Sequence, residues 1–381
     1  MKHWNRVAMA FLAVVLIYAV FAITHNRLPN YELLSSQLIQ TRRNKELRRD
    51  PFPAPFDADT PCTPTTNVFF VKTHKTGSTT LQSIVNRFGF IRNLSFAFRR
   101  QDPRGHVTFK DFSKASPREM FFPPIHDRIT CTFRGYNIST VHIAYNRQIA
   151  NSYMTEGTKY ISLLREPVSQ WLSAYQFFKL DKLTRDHSME TLLDKKNDYW
   201  RSNLYSRNLQ SLDLGLRVNQ FEDMASIEQR LLILENELDL ILIMEYFDES
   251  LILLKKELCW SFEDILYLSK NIQVAPGLNI SKTMEKKIRD FNSADMVLYH
   301  FFEEVFFDRM RKYGPNFEND LSKFRKMREQ YQKECTEKTL ERTSFGTFHY
   351  KLKDHSGEFC RLLAKETLFP EIRERQSDYD C

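Results

Sequence analysis

Two short stretches of this 381-residue chain combine residue types that can do chemistry. The first is Lys72-Thr73-His74-Lys75-Thr76-Gly77-Ser78-Thr79-Thr80. It lies between a short apolar run and an amphipathic one, the place where α/β proteins bind phosphate. There the free N–H groups and the dipole of a helix N-terminus favour an anion. Gly77 lets the backbone approach closely, the hydroxyls of Thr76, Ser78, Thr79 and Thr80 add donors, and Lys75 adds charge. In this stretch the lysine precedes the glycine. The GxxxxGK[ST] order of a magnesium-nucleotide loop occurs nowhere in the chain. The segment therefore reads as a site for a phosphate-like anion without the metal of an NTPase.

The second stretch is Tyr160-Ile-Ser-Leu-Leu-Arg165-Glu-Pro-Val-Ser-Gln-Trp-Leu-Ser173-Ala-Tyr175. Arg165 leaves the C-terminal end of an apolar run, the edge at which such sheets collect ligands. Ser173 follows eight residues later, about two helical turns, which puts both side chains on one side. A guanidinium and a hydroxyl so arranged suit a second phosphate.

Both stretches need a scaffold. Val68–Val71, Tyr160–Leu164 and Leu240–Met244 read as buried strands. Leu81, Ile84, Val85 and Phe88 recur at i, i+3, i+4 and i+7, one face of a helix. Pro167 suits the first turn of the next helix, and Asp248 the cap of a helix carrying Leu251, Leu254 and Leu258. Strands alternating with helices predict an α/β domain with a mainly parallel sheet over residues 67–381. The charged tail after Glu329 has no readable packing pattern.

Composition supports a packed, globular chain: 42% of residues are hydrophobic and 27% charged, with a net charge of +7. The surplus suits an anionic ligand, and no zinc-finger spacing, basic zipper or aromatic single-strand platform points to nucleic acid. Val7–Ile23 is an unbroken apolar run, the shortest that spans a bilayer, and Lys2, His3 and Arg6 before it favour a cytoplasmic N-terminus. Residues 1–6 then form the tail, 7–23 a type II signal anchor and 24–66 a stem, the last containing a basic cluster and a proline-rich piece. Asn93, Asn137 and Asn279 open N-x-Ser sequons consistent with a luminal domain. Cys62, Cys131, Cys259, Cys335, Cys360 and Cys381 show no metal-ligand spacing, and in an oxidising lumen their pairing stays open.

The pair THKTGSTTL and LLREPVSQWLSAY resembles the two donor-binding boxes of Golgi carbohydrate sulfotransferases. The wider match, in NVFFVKTHKTGSTTL, RNLQSLDLGL and EYFDESLILLKKELCWSFEDILYL, is to the galactose-3-O-sulfotransferase family and covers about Asn67 to Phe369. The resemblance implies a P-loop-like sulfotransferase fold, type II Golgi membrane anchoring, 3′-phosphoadenosine 5′-phosphosulfate as donor without a metal, and a galactose 3-hydroxyl on a glycolipid or glycan as acceptor. Carried over, Lys72, Thr73, His74, Lys75 and Thr76–Thr80 hold the 5′-phosphosulfate, while Arg165 and Ser173 hold the 3′-phosphate. His142 becomes the general base and Lys75 the cation on the leaving phosphate, with His74 shaping the loop. Arg207 and Asn208, beside Tyr205, become acceptor contacts. Asn146 stands where the galactosylceramide enzyme carries a second histidine.

Two other readings compete. A uronyl or heparan-type 2-O-sulfotransferase shares the boxes and the histidine, but needs an extended basic groove. A non-catalytic luminal glycan-binding protein would not need Lys75, Gly77, His142, Arg165 and Ser173 together.

Overall fold

The computed structural model of the chain describes residues 30–49, 62–100, 117–122, 125, 135–268, 278–342, 348–365 and 368–377. Its centre is a sheet of short strands: β1 (Val68–Val71), β2 (Ile138–Ser139), β3 (Lys159–Leu164) and β4 (Leu240–Ile243). They run in the order β2-β1-β3-β4, and every pairing is parallel. All residues of β1 and β4 are buried. A parallel sheet covered on both faces explains why these strands read as continuous apolar runs rather than alternating ones.

The predicted strands and first helix are present, with ends shifted by a residue. A helix α1 (Asn30–Arg49) precedes the sheet, and α2 (Ser78–Ile91) follows β1 and turns Leu81, Ile84, Val85 and Phe88 completely inward. Next, α3 (Pro167–Phe177) has Pro167 in its first turn, and the Glu166 carboxylate accepts the Ser169 N–H at its N-cap. The short helix α4 (Leu209–Asp213) lies between β3 and β4 in the chain. After β4 come α5 (Phe247–Leu258), α6 (Ser293–Tyr313) and α7 (Phe317–Cys335). Asp248 sits inside the first turn of α5 rather than capping it, and its carboxylate binds Tyr267 and Arg328.

Two boundaries differ from the sequence reading. Residues 24–66 are not simply a stem, because α1 packs on α6 with Tyr31 and Leu38 buried. Arg42 of the basic cluster is paired with Glu235 and Asp308 and Arg43 with Glu304, so those charges serve packing. The folded unit also begins before Asn67: Cys62 is bonded to Cys259, and the Thr65 N–H donates to the Leu258 carbonyl at 2.8 Å. The tail after Glu329 belongs to the domain. It forms an antiparallel hairpin, β5 (Thr336–Arg342) with β6 (Phe348–Leu352), and is closed by Cys335–Cys360. Its Leu363, Leu368 and Ile372 are buried, and the Gln376 amide holds both polar backbone groups of Phe96. Cys131, Cys381 and the expected anchor Val7–Ile23 lie outside the described residues. Among the described residues no helix is long and apolar enough to cross a membrane.

Candidate active site

The turn from β1 into α2 is the centre of the site. Gly77 caps α2 with φ 77°, in the left-handed region that favours glycine. A Cβ there would meet Met244 Sδ at 2.5 Å, so the end of β4 presses on the loop from behind. The loop hydroxyls are satisfied by one another and by nearby carbonyls. Thr73 Oγ1 donates to the Leu163 carbonyl and shares a 2.8 Å bond with Thr76 Oγ1, and Ser78 Oγ donates to the Thr73 carbonyl at 2.7 Å. These three side chains, expected to face an anion, are buried. A tight turn leaves carbonyls that need donors, and the nearest hydroxyls supply them. Thr79 and Thr80 are half-exposed at the open start of α2.

Three cations converge on this turn. The Lys72 ammonium lies 2.8 Å from His142 Nε2, and burial with the nearby Lys75 charge pushes its pKa down to about 8, against a partial lift from Asp213. Lys75 has φ 61°, and its ammonium sits 3.8 Å above the exposed Phe177 ring. Burial, then the Arg165 charge, pushes its pKa down to about 8. Arg165 Nη1 donates to the Lys75 carbonyl at 3.3 Å, and burial lowers its pKa. Neighbouring carboxylates are already engaged. Asp213 holds His74, Glu166 caps α3, and Glu245 accepts from Glu166 N–H and Tyr299 OH. Lowered lysine pKa values beside committed acids describe a place short of negative charge. Ser173 is half-buried on α3, one turn before Phe177.

The two histidines stack face to face, ring centroids 3.9 Å apart and planes 18° apart. His142 is not in a strand: β2 ends at Ser139, and the ring is half-exposed in the following loop. Its Nδ1 is 2.9 Å from the Lys72 carbonyl, which only accepts, so Nδ1 carries the proton and Nε2 the lone pair facing Lys72. His74 Nδ1 donates to the Asp213 carboxylate at 2.8 Å, and the same carboxylate accepts the His74 backbone N–H at 2.7 Å. Gln170 of α3 donates to the His74 carbonyl at 2.9 Å.

The expected acceptor contacts divide. Arg207 is buried, its Nε donating to the Phe291 carbonyl at 2.7 Å and its other end paired with Glu222. Asn208 is completely buried, with φ 47°, and binds the Asp295 and Asn292 region. Both therefore hold the interior together and offer no surface to an acceptor. The half-exposed Tyr205 does reach the site, 5.2 Å from the His74 ring and stacked on Phe178 at 4.3 Å. Phe177, whose ring lies 5.1 Å from that of Phe178, is exposed beside it. Asn93 and Asn279 are exposed, whereas the Asn137 amide is tied to Asn67 and the Ser95 N–H. Asn146 caps a short helix by accepting the Ile149 N–H.

Sequence reasoning missed Asp213, Gln170 and Gln210, which reach the loops from distant positions. Their signal is that Gln210 and Asp213 fall inside the RNLQSLDLGL stretch and Gln170 inside LLREPVSQWLSAY. Among the described residues no group of His, Cys, Asp and Glu is placed to hold a metal ion.

The sequence profile described as Galactose-3-O-sulfotransferase matches residues 4–344. Galactosylceramide sulfotransferase of Mus musculus is 29% identical over 263 residues, 66% of this chain and 60% of that one. The Bos taurus protein of the same name is 26% identical over 357 residues, 84% of this chain and 82% of that one. Galactose-3-O-sulfotransferase 2 of Sus scrofa is 30% identical over 271 residues, 66% of this chain and 64% of that one.

Proposed function

The chain belongs to the galactose-3-O-sulfotransferase family, and on that premise we propose that it transfers a sulfuryl group from 3′-phosphoadenosine 5′-phosphosulfate to the 3-hydroxyl of galactose on a glycolipid or glycan. The observation that carries this reading is the convergence of Lys72, Lys75 and Arg165 on a helix N-terminus beside a stacked histidine pair. The residues fit the donor: a molecule that is anionic at both its 3′-phosphate and its phosphosulfate end supplies the charge that the depressed lysines lack. When bound, the donor supplies an activated sulfuryl group on a phosphate leaving group.

The chain's own residues then have distinct tasks. Lys75, Thr79, Thr80 and the N–H groups opening α2 bind the phosphosulfate end, and Lys75 meets the charge developing on the leaving phosphate. Arg165 and Ser173 bind the 3′-phosphate. His142 is the general base, and its Nε2 lone pair is the right atom because Nδ1 is committed to the Lys72 carbonyl. Lys72 must turn from His142 toward the anion before that lone pair accepts the hydroxyl proton. Such base assistance contributes about 10² to 10⁴-fold. Tyr205, Phe178 and Phe177 offer an apolar aromatic face beside the histidines, suited to the C–H face of a neutral sugar rather than to a uronate. In the same reading Val7–Ile23 is a type II anchor that holds the catalytic domain in the Golgi lumen.

The test is transfer of labelled sulfate by the full chain to galactosylceramide, lactosides, N-acetyllactosamine, and heparan and dermatan chains, with His142→Ala alongside. Labelled 3-sulfogalactose from the parent, reduced at least about 100-fold in the variant, supports acceptor and base together. Label confined to the uronic-acid polymers overturns the galactose assignment. Binding of glycans with no transfer to any of them points to the glycan-binding alternative.

A further inference from the structure

Helix α4 touches both donor-binding segments at once. At its C-terminal end the Asp213 carboxylate takes the backbone N–H and Nδ1–H of His74, at 2.7 and 2.8 Å. Three residues earlier the Gln210 amide clamps Arg165, accepting its N–H at 2.9 Å and donating to its carbonyl at 2.9 Å. The helix is itself anchored from α6. Asp295, only 1% exposed, accepts the Ser211 N–H at 2.7 Å, the Ser211 hydroxyl at 2.6 Å and the Gln210 N–H at 3.2 Å. The Asn208 side chain returns a bond to the Asp295 N–H at 3.1 Å. Burial, opposed by these bonds, leaves the Asp295 carboxyl raised to about 6. Interiors seldom hold an acid without polar partners, and here all the named partners belong to α4 or the residue before it.

The consequences follow from bond directions. A carboxylate only accepts, so Asp213 fixes the proton of His74 on Nδ1 and fixes the plane of its ring. That plane is the surface on which His142 stacks at 3.9 Å, while the Lys72 carbonyl holds His142 Nδ1. Gln210 sets where Arg165 leaves β3, and Arg165 in turn reaches the Lys75 carbonyl. We propose that Asp213 and Gln210 are positioning residues for sulfuryl transfer: α4 is a bracket that sets the histidine pair and Arg165 against each other, Asp213 acting through His74 on the base, and Gln210 acting through Arg165 on the 3′-phosphate. The proposal rests on the sulfotransferase reading above and assigns residues and roles beyond it.

Asp213→Asn and Gln210→Ala, made in the full chain, separate the two arms, with the core variant Leu231→Ala as a control for general destabilisation. Asp213→Asn is expected to lower kcat about 100-fold, the size of a small misplacement of reacting groups. Its Kd for 3′-phosphoadenosine 5′-phosphate should stay within about twofold of the parent. Nitrogen-15 spectra of the histidines should show one imidazole losing its Nδ1–H form in this variant. Gln210→Ala should weaken that Kd about tenfold and change kcat less once donor saturates. The proposal is overturned if Asp213→Asn keeps kcat within about threefold of the parent. It is equally overturned if both variants lose kcat and nucleotide affinity together, in step with Tm, as the Leu231→Ala control does. Nucleotide binding and the histidine spectra need no acceptor. A parent that sulfates no galactoside would thus overturn the functional reading while these two measurements still judge the bracket.

Discussion

Replacing Lys72 with methionine probes the electrostatics of the site, because this ammonium is buried and its pKa is pushed down from 10.5 to about 8. Each pKa unit corresponds to about 1.4 kcal/mol, so keeping Lys72 charged at pH 7 costs the fold about 3 kcal/mol. The bond to His142 Nε2 returns part of this, about 1–2 kcal/mol for a charged donor. Methionine has similar length and no charge, so Lys72→Met should raise stability at pH 7 by about 1–2 kcal/mol, or about 2–4 °C in Tm for a domain of this size. The pH dependence identifies the cause. Below about 8 the lysine is protonated folded and unfolded, and the penalty is complete. Between about 8 and 10.5 the folded protein sheds the proton first, so the parent gains stability as pH rises and the advantage of the variant disappears. The assay is thermal unfolding from pH 7 to 10, with and without 3′-phosphoadenosine 5′-phosphate. The variant should also lose most of the nucleotide's stabilising effect. A Tm gain that does not change with pH, or a lower Tm at pH 7 with the nucleotide effect intact, refutes the view that Lys72 is a strained cation awaiting an anion.

Three further outcomes follow from the geometry. Gly77→Ala meets the left-handed φ and the Met244 sulfur, so it should cost at least about 2 kcal/mol and abolish the thermal shift by nucleotide. Cys62→Ser opens a link across 197 residues and should destabilise by about 2–5 kcal/mol, read as a lower Tm that reductant no longer changes at this bond. A chain starting at Asn67 loses both that disulfide and the α1 contact with α6. It should melt below one starting at Asn30 and bind more of a hydrophobic dye, and equal melting would show that neither the disulfide nor α1 contributes.

The legible parts were those with local causes. The apolar runs of β1, β3 and β4 announced themselves because both faces of a parallel sheet are covered, and α2 because one face is. By contrast β2, only Ile138–Ser139, is too short to show a period. From the sequence helix α1 reads as stem, because its buried apolar residues, Tyr31 and Leu38, are sparse along a polar stretch. Its Arg42 finds its acids 193 and 266 positions away. Arg207 and Asn208 looked like acceptor contacts because polar residues in a loop usually face water, whereas here they satisfy the ends of buried helices.

For the site, the residue order of Lys72–Thr80 determined that a glycine-cornered turn with unpartnered N–H groups would open α2, since strand, glycine and helix are contiguous. The spacing of Arg165 and Ser173 determined a second polar point at the sheet edge. Which hydroxyls face inward, which tautomer each histidine holds, and that Lys72 confronts His142 are decided only by tertiary structure. Those facts depend on Asp213, Gln210, Gln170 and Met244, brought to their partners from up to 167 residues away in the chain by strand order and helix packing. A hydrogen bond depends on distance and direction in space, and a sequence records neither for residues that meet only when the chain is folded.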